Sequence, residues 1–360
     1  MRLLNREEIT DILIGCSILG TGGGGALKEG MDAVERELEA GRTFKLLDFS
    51  EVRDDCYYVN PYLCGTVVPD DQAVELSGQE LPDAVTALEE YMKVEFHGLL
   101  SIEYGGGNTG VAMAAAARMG KFMVDADAAG RAVPELQFST YYIREQPIAP
   151  FSVSTIYGDA VIVQRVADDA RAEALSRFMA VGSNGLVGMA DHPIRGDRLR
   201  TSVIPNALSH AEKVGRARRV ACETGADPIQ AILEAGNGRL LYHGTVTDDS
   251  HWEIKDGFTL GDIYLTDKAD GGQVRVWYKN ENMICWKDGK VVLTCPDLIC
   301  VVNTADGMPV TNPNCLPGME LSVLAFPCHS LWKEPRALEI LNPRFFGFDM
   351  DCKFLPESMG

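Results

Sequence analysis

The chain has 360 residues, of which 46% are hydrophobic and 24% charged, an ordinary balance for a globular protein long enough to hold two domains, and this argues against disorder. A net charge of −19, interrupted by basic residues only in the short stretch Arg216 to Arg219, repels phosphate backbones and excludes nucleic acid as an expected partner. No run approaches the roughly 20 apolar residues of a membrane helix, the start MRLLNREEIT lacks a signal-peptide core, and the ten cysteines show neither CxxC nor metal-finger spacing, so a cytoplasmic protein with reduced thiols and no membrane partner is expected.

Asn5 and Glu8 stand at capping-box spacing, and Ile9, Ile12, Leu13 and Cys16 recur at helical intervals, which predicts a first helix over residues 5–17. The run Gly22-Gly23-Gly24-Gly25 then links it to a second amphipathic helix carrying Leu27, Met31, Val34 and Leu38. Strands are expected at 44–48 and 56–59, and Pro82 opens a helix with Val85, Leu88 and Met92. Next comes a strand over His97 to Tyr104, a turn at Gly105 to Asn108, an alanine-rich helix closed by Gly120, and a strand from Lys121 to Asp125. A helical crossover makes these strands parallel, so Glu103 and Asp125 lie on the sheet edge where such folds bind ligands. Further strands are expected at 136–143 and around the hairpin Tyr157-Gly158-Asp159, then helices at 168–180, 207–223 and 227–235. Beyond Gly238, alternating runs separated by Asp-Gly and Gly-Gly turns predict antiparallel sheet. The expected fold is therefore an α/β N-terminal domain with a mixed or parallel sheet and flanking helices (1–167), a helical connecting segment (168–236) and a β-rich, barrel- or sandwich-like C-terminal domain (237–360).

Three carboxylates, Glu103, Asp125 and Asp127, follow apolar strands and are the candidate catalytic groups. Crowded carboxylates raise one another's pKa, which suits one to acid–base work, while a divalent metal relieving that repulsion stays an open alternative; no other cofactor is indicated. The competing structural account has Asp125 or Asp127 capping the next turn and Arg131 pairing with Glu135. Glycines before helices can aim backbone N–H groups at an anion, which marks Gly22, Gly23, Gly24, Gly106 and Gly107, with Asn108, Arg131, Glu135 and Gln137, as candidate small-molecule contacts. His210 is a further proton carrier by type, and Asn280-Glu281-Asn282 places polar residues inside a strand-like run, where a functional or interdomain role is expected.

The motifs GCSILGTGGGG, EYGGGNTG, VDADAAGRAVPELQ, KNENMI, PDLI and FFGFD, in this order over nearly the whole chain, resemble the S-methyl thiohydantoin desulfurase family, long catalogued as a domain found beside hydantoinase and oxoprolinase proteins. Where relatives place glycine inside the aspartate pair, this chain has Ala126, which implies an altered pocket shape. The resemblance implies an α/β domain followed by a β-barrel-like one, and hydrolysis of a five-membered cyclic ureide-like ring with loss of sulfur. Asp125 or Asp127 would activate water, Glu103 would stabilise positive charge on the ring, Gly106 or Gly107 would bind negative charge, and Arg131 would hold a substrate carboxylate. A metal-dependent cyclic-amide hydrolase and a non-catalytic subunit of a hydantoinase or oxoprolinase are the alternatives, and a homo-oligomer stays open.

Overall fold

The structure is a computed structural model and describes residues 1–65 and 76–356. In chain order the first part comprises β1 (Arg2–Leu4), α1 (Arg6–Leu19), α2 (Leu27–Glu39), β2 (Phe44–Leu47), β3 (Tyr57–Gly65), α3 (Glu80–Met92), β4 (Phe96–Ser101), α4 (Gly106–Arg118), β5 (Phe122–Asp127), α5 (Thr140–Ile143), β6 (Phe151–Thr155) and β7 (Ala160–Val163). It continues through α6 (Asp169–Gly182), β8 (Leu186–Arg195), α7 (Gly196–Ser202), β9 (Ile204–Pro205), α8 (Ala207–Thr224) and α9 (Pro228–Gly236).

Among the described residues these strands form one mixed sheet in the order β1-β2-β5-β4-β3-β8-β6-β7, with β9 added to β5. The β2, β5, β4 and β3 neighbours are parallel, with α3 and α4 as the helical crossovers from β3 to β4 and from β4 to β5, whereas β1 lies antiparallel to β2 and β8, β6 and β7 run antiparallel. Period-two alternation sends Leu99 and Met123 to one apolar cluster and Leu100 and Val124 to another, so both faces of the sheet are covered. The expected capping box starts α1: Asn5 Oδ1 accepts from the Glu8 N–H at 3.0 Å and Glu8 Oε2 accepts from the Asn5 N–H at 2.8 Å.

Two expectations are corrected. Residues 136–143 form turns and the short α5, with Ser139 capping it through the Tyr142 N–H, rather than a strand. The 168–236 stretch is not purely helical: it contributes β8, which pairs with β3 and β6 in the middle of the sheet. Asp191 and His192 interrupt the apolar alternation of β8, and their burial beside Tyr62 and Tyr141 is a tertiary feature that no local period announces.

The second part holds β10 (Arg239–Val246), β11 (His251–Lys255), β12 (Phe258–Asp267), β13 (Gln273–Lys279), β14 (Glu281–Lys287), β15 (Lys290–Thr294), β16 (Leu298–Asn303), β17 (Glu320–Phe326) and α10 (Pro335–Ile340). Every pairing is antiparallel, in the order β15-β14-β13-β12-β10-β17-β16 with β11 on β12. Among the described residues no ladder joins β15 to β16, so hydrogen bonding does not close this sheet into a barrel. Ile12, Leu13 and Leu99 of the first part share one apolar cluster with Met283, Ile284 and Leu298 of the second, so the two parts meet through a continuous core. No described helix is long and apolar enough to cross a membrane.

Candidate functional site

Two glycine-rich loops start the site. The α1–α2 loop runs through left-handed backbone at Gly22, Gly24 and Gly25, and its carbonyls at Gly24 and Gly25 accept from the N–H groups of Asn108 (3.0 Å) and Gly107 (3.4 Å) at the start of α4. A Cβ on Gly24 would lie 2.4 Å from the Gly105 Cα, so the loops stack only because neither carries a side chain there. This uses the Gly107 N–H internally, and neither Gly106 nor Gly107 reaches the cavity described next; Gly22, Gly23 and Gly24 do.

That cavity, about 650 Å³, lies between the two parts of the molecule. The α/β part contributes Glu103, Asn108, Phe138 and Glu173 to its wall; the β-rich part contributes Thr259, Asn280, Glu281 and Asn312. Glu103, just beyond β4, is clamped: its Oε1 accepts from Asn108 Nδ2 at 2.7 Å and its Oε2 from the Val133 N–H at 2.8 Å. Burial nonetheless raises its carboxyl from 4.5 to about 7, because those two hydrogen bonds offset only part of the lost hydration and Asp127 and Glu173 add negative charge nearby. Glu281 is buried too, its Oε2 finds no hydrogen-bond partner among the described residues, and burial followed by the charge of Glu103 pushes it well above the usual carboxylate range. Gly23 makes room for it: a Cβ there would stand 2.0 Å from Glu281 Oε1.

Asn280 explains how Glu281 arrives. The strand-like run expected to contain Asn280-Glu281-Asn282 is broken at Asn280, whose left-handed backbone (φ 56°) turns β13 into β14. Its Oδ1 accepts from the Thr259 N–H at 2.9 Å and its carbonyl from Asn312 Nδ2 at 2.8 Å. The turn is thereby tied to the start of β12 and to the β16–β17 connection, and held against Thr21, whose carbonyl accepts from the Asn282 N–H at 2.7 Å. Asn280 therefore forms a hairpin tip on the junction between the two parts, and Glu281 and Asn282 open β14.

The remaining predicted residues are placed differently. Asp125 does not line the cavity; its Oδ1 accepts from the Ser209 N–H (3.0 Å) and its Oδ2 from the Ser209 hydroxyl (2.5 Å) at the start of α8. Asp127 is also off the wall, and its Oδ1 accepts from the Ala129 N–H at 2.7 Å and from the Gly130 N–H, the turn-capping geometry; burial raises it to about 7. Arg131 does not pair with Glu135. It is fully buried and donates to the carbonyls of Ala132, Pro296, Asp297 and Asn282, bolting the α/β part to the β-rich part and leaving no fork for a substrate carboxylate. Glu135 lines the cavity but is held by Lys279 and by Gln137 Nε2, and Gln137 itself stays off the wall. His210 is exposed on α8 away from the cavity. Thus Glu103, Asn108, Glu135, Asn280, Glu281 and the first three loop glycines share one cavity, while Asp125, Asp127, Arg131, Gln137 and His210 do not.

Thr259, Asn312, Glu173 and Arg177 are wall residues that sequence reasoning missed. The i,i+4 spacing of Glu173 and Arg177 in an expected helix was a weak signal; the other two carry none, since their position depends on distant strands. Among the described residues no group of three or more His, Cys, Asp or Glu side chains is placed to hold a metal ion.

The family models described as S-Me-THD-like, N-terminal domain and S-Me-THD-like, C-terminal domain match residues 7–165 and 167–355. No curated protein matches the chain. The fold is similar to a crystal structure of a protein from Chromobacterium violaceum, at 22% identity with a TM-score of 0.80 over 99% of this chain and 100% of that one.

Proposed function

The chain belongs to the S-Me-THD-like family, and from this premise we propose that its cavity binds a five-membered cyclic ureide-like ring and removes a sulfur substituent from it by hydrolysis. The observation that carries the reading is that Glu103 and Glu281, delivered by the two parts of the fold, face one cavity in unequal surroundings. Glu103 accepts two hydrogen bonds, which favour its ionised form; Glu281 Oε2 accepts none and keeps its proton. Two carboxyls whose environments push their proton affinities apart supply a base and an acid at the same pH.

In an S-methyl thiohydantoin the ring carbon between the two nitrogens bears the sulfur and is electron-poor. Water adds to that carbon while Glu103 takes one of its protons, forming the C–O bond. Collapse of the tetrahedral intermediate breaks the C–S bond, and the Glu281 proton goes to the departing sulfur, which leaves as methanethiol. The second water proton moves to the ring nitrogen that was doubly bonded to the reacting carbon as the ring carbonyl forms, giving neutral hydantoin, and proton return from Glu103 to Glu281 through solvent resets the pair. Asp125, Asp127 and Arg131 serve the fold in this scheme. The apolar walls, with Ile102, Val133 and Phe138, exclude bulk water from the reacting carbon.

The test is methanethiol release from S-methyl thiohydantoins by the wild type, Glu103→Gln and Glu281→Gln. Each substitution keeps the side-chain shape and removes one proton-transfer role, so each is expected to lower turnover by roughly 100-fold or more. Undiminished turnover in both variants removes the pair from the chemistry.

A further inference from the structure

Three polar atoms on the β-rich wall of the cavity are buried and lack any hydrogen-bond partner among the described residues: Glu281 Oε2, Thr259 Oγ1 and Asn312 Oδ1. Such atoms are costly, and three on one wall of one cavity point to a ligand that meets them. Their orientation is fixed by the surrounding bonds. Asn312 Nδ2 donates to the Asn280 carbonyl at 2.8 Å and to Asn282 Oδ1 at 3.0 Å, so the amide cannot turn over and its oxygen remains a bare acceptor. The Thr259 backbone is pinned on both sides by Asn280, whose Oδ1 takes its N–H and whose N–H reaches its carbonyl at 2.7 Å. Glu281 is seated against Gly23.

We propose that Thr259 and Asn312 accept the N–H groups of the substrate ring on the face that also carries the Glu281 proton donor, so that the protein selects rings with a donor edge flanking the carbon to be attacked. This rests on the proposed use of the cavity as a substrate site and adds the side of the ring that is read and the residues that read it. Those residues carry no cation, and the two arginines whose charge acts on Glu281 are already engaged, Arg131 by carbonyls and Arg177 by Glu173 and the carbonyls of Gly65, Gly257 and Pro134. A nitrogen donor therefore suits this wall better than a carboxylate does, and N-alkylation of the ring removes the complementary group.

The experiment measures binding of hydantoin and of its N,N′-dimethyl derivative to the full chain by calorimetry. Hydantoin is expected to bind, and the dimethyl compound to bind at least about tenfold more weakly, the cost of one unmade hydrogen bond in a buried site. Thr259→Val, which keeps the shape and loses the hydroxyl, is expected to weaken hydantoin about tenfold, and Thr259→Ser to restore it; unchanged circular dichroism melting of both variants shows that the fold is intact. Absence of hydantoin binding, equal affinity for the two probes, or wild-type affinity in Thr259→Val overturns the proposal. Selective hydantoin binding without methanethiol release from S-methyl thiohydantoins would sink the reaction and leave the recognition face standing; release with no dependence on ring N–H would do the reverse.

Discussion

Replacing Glu103 by glutamine isolates the energetic cost of holding a carboxylate in the cavity wall. In the unfolded chain the group ionises near 4.5, whereas in the fold burial, only partly offset by the Val133 and Asn108 hydrogen bonds, delays ionisation to about 7. The sign follows: the wild type keeps its full stability relative to the glutamine variant below the unfolded value and loses it as pH rises through the folded value. The gap of about 2.5 pH units, at about 1.4 kcal/mol each, amounts to about 3 kcal/mol. Glutamine sets an N–H against either the Asn108 amide or the Val133 N–H, but that penalty is the same at every pH and cancels in the comparison. Urea unfolding followed by tryptophan fluorescence at pH 5 and pH 8 reads the effect. The stability difference, wild type minus Glu103→Gln, is expected to fall by about 3 kcal/mol between the two conditions. A difference that stays flat would mean that Glu103 ionises as readily folded as unfolded, and would remove the raised proton affinity that suits it to take a proton from water.

Other perturbations probe separate parts of the account. Gly23→Ala puts a methyl 2.0 Å from Glu281 Oε1 and is expected to displace that carboxyl, cutting methanethiol release at least about tenfold while circular dichroism stays native. Arg131→Met strips donors from four carbonyls, three of them across the junction, so a destabilisation of about 3 kcal/mol or more is expected in thermal unfolding; a wild-type melting temperature would contradict its bolting role. The rate of thiol release is expected to rise as pH passes about 7, because Glu103 must be ionised to accept a proton, and to fall again when Glu281 gives up its own; a maximum near pH 5 would reverse the assignment.

Much of the α/β framework was legible because its signals are local. The capping box, the glycine link and the strand–helix–strand unit around Gly105 to Gly107 each show within a short window, and β4 and β5 are parallel neighbours as the crossover requires. Glu103, Asp125 and Asp127 look alike in that window, each acidic near the end of an apolar strand. What separates them is the partner: Ser209 at the head of α8 occupies Asp125, and the following turn occupies Asp127, while Asn108 and Val133 hold Glu103 at the cavity. The β-rich half of the site was harder to see. Glu281 was singled out only because it broke an alternating pattern, and Thr259 and Asn312 become neighbours of it through hydrogen bonds from distant segments to the Asn280 turn. The destination of Arg131 depends on carbonyls more than a hundred residues away, which explains why a short-range pairing with Glu135 looked reasonable.

The most direct test follows the oxygen: incubate the wild-type chain with an S-methyl thiohydantoin in isotope-labelled water and analyse both products by mass spectrometry. Hydrolytic desulfurisation predicts methanethiol with its methyl group intact and a hydantoin whose new ring carbonyl carries the label. An unreacted substrate, or a labelled open-chain product that retains its sulfur, would contradict the assignment of the Glu103 and Glu281 cavity to this reaction.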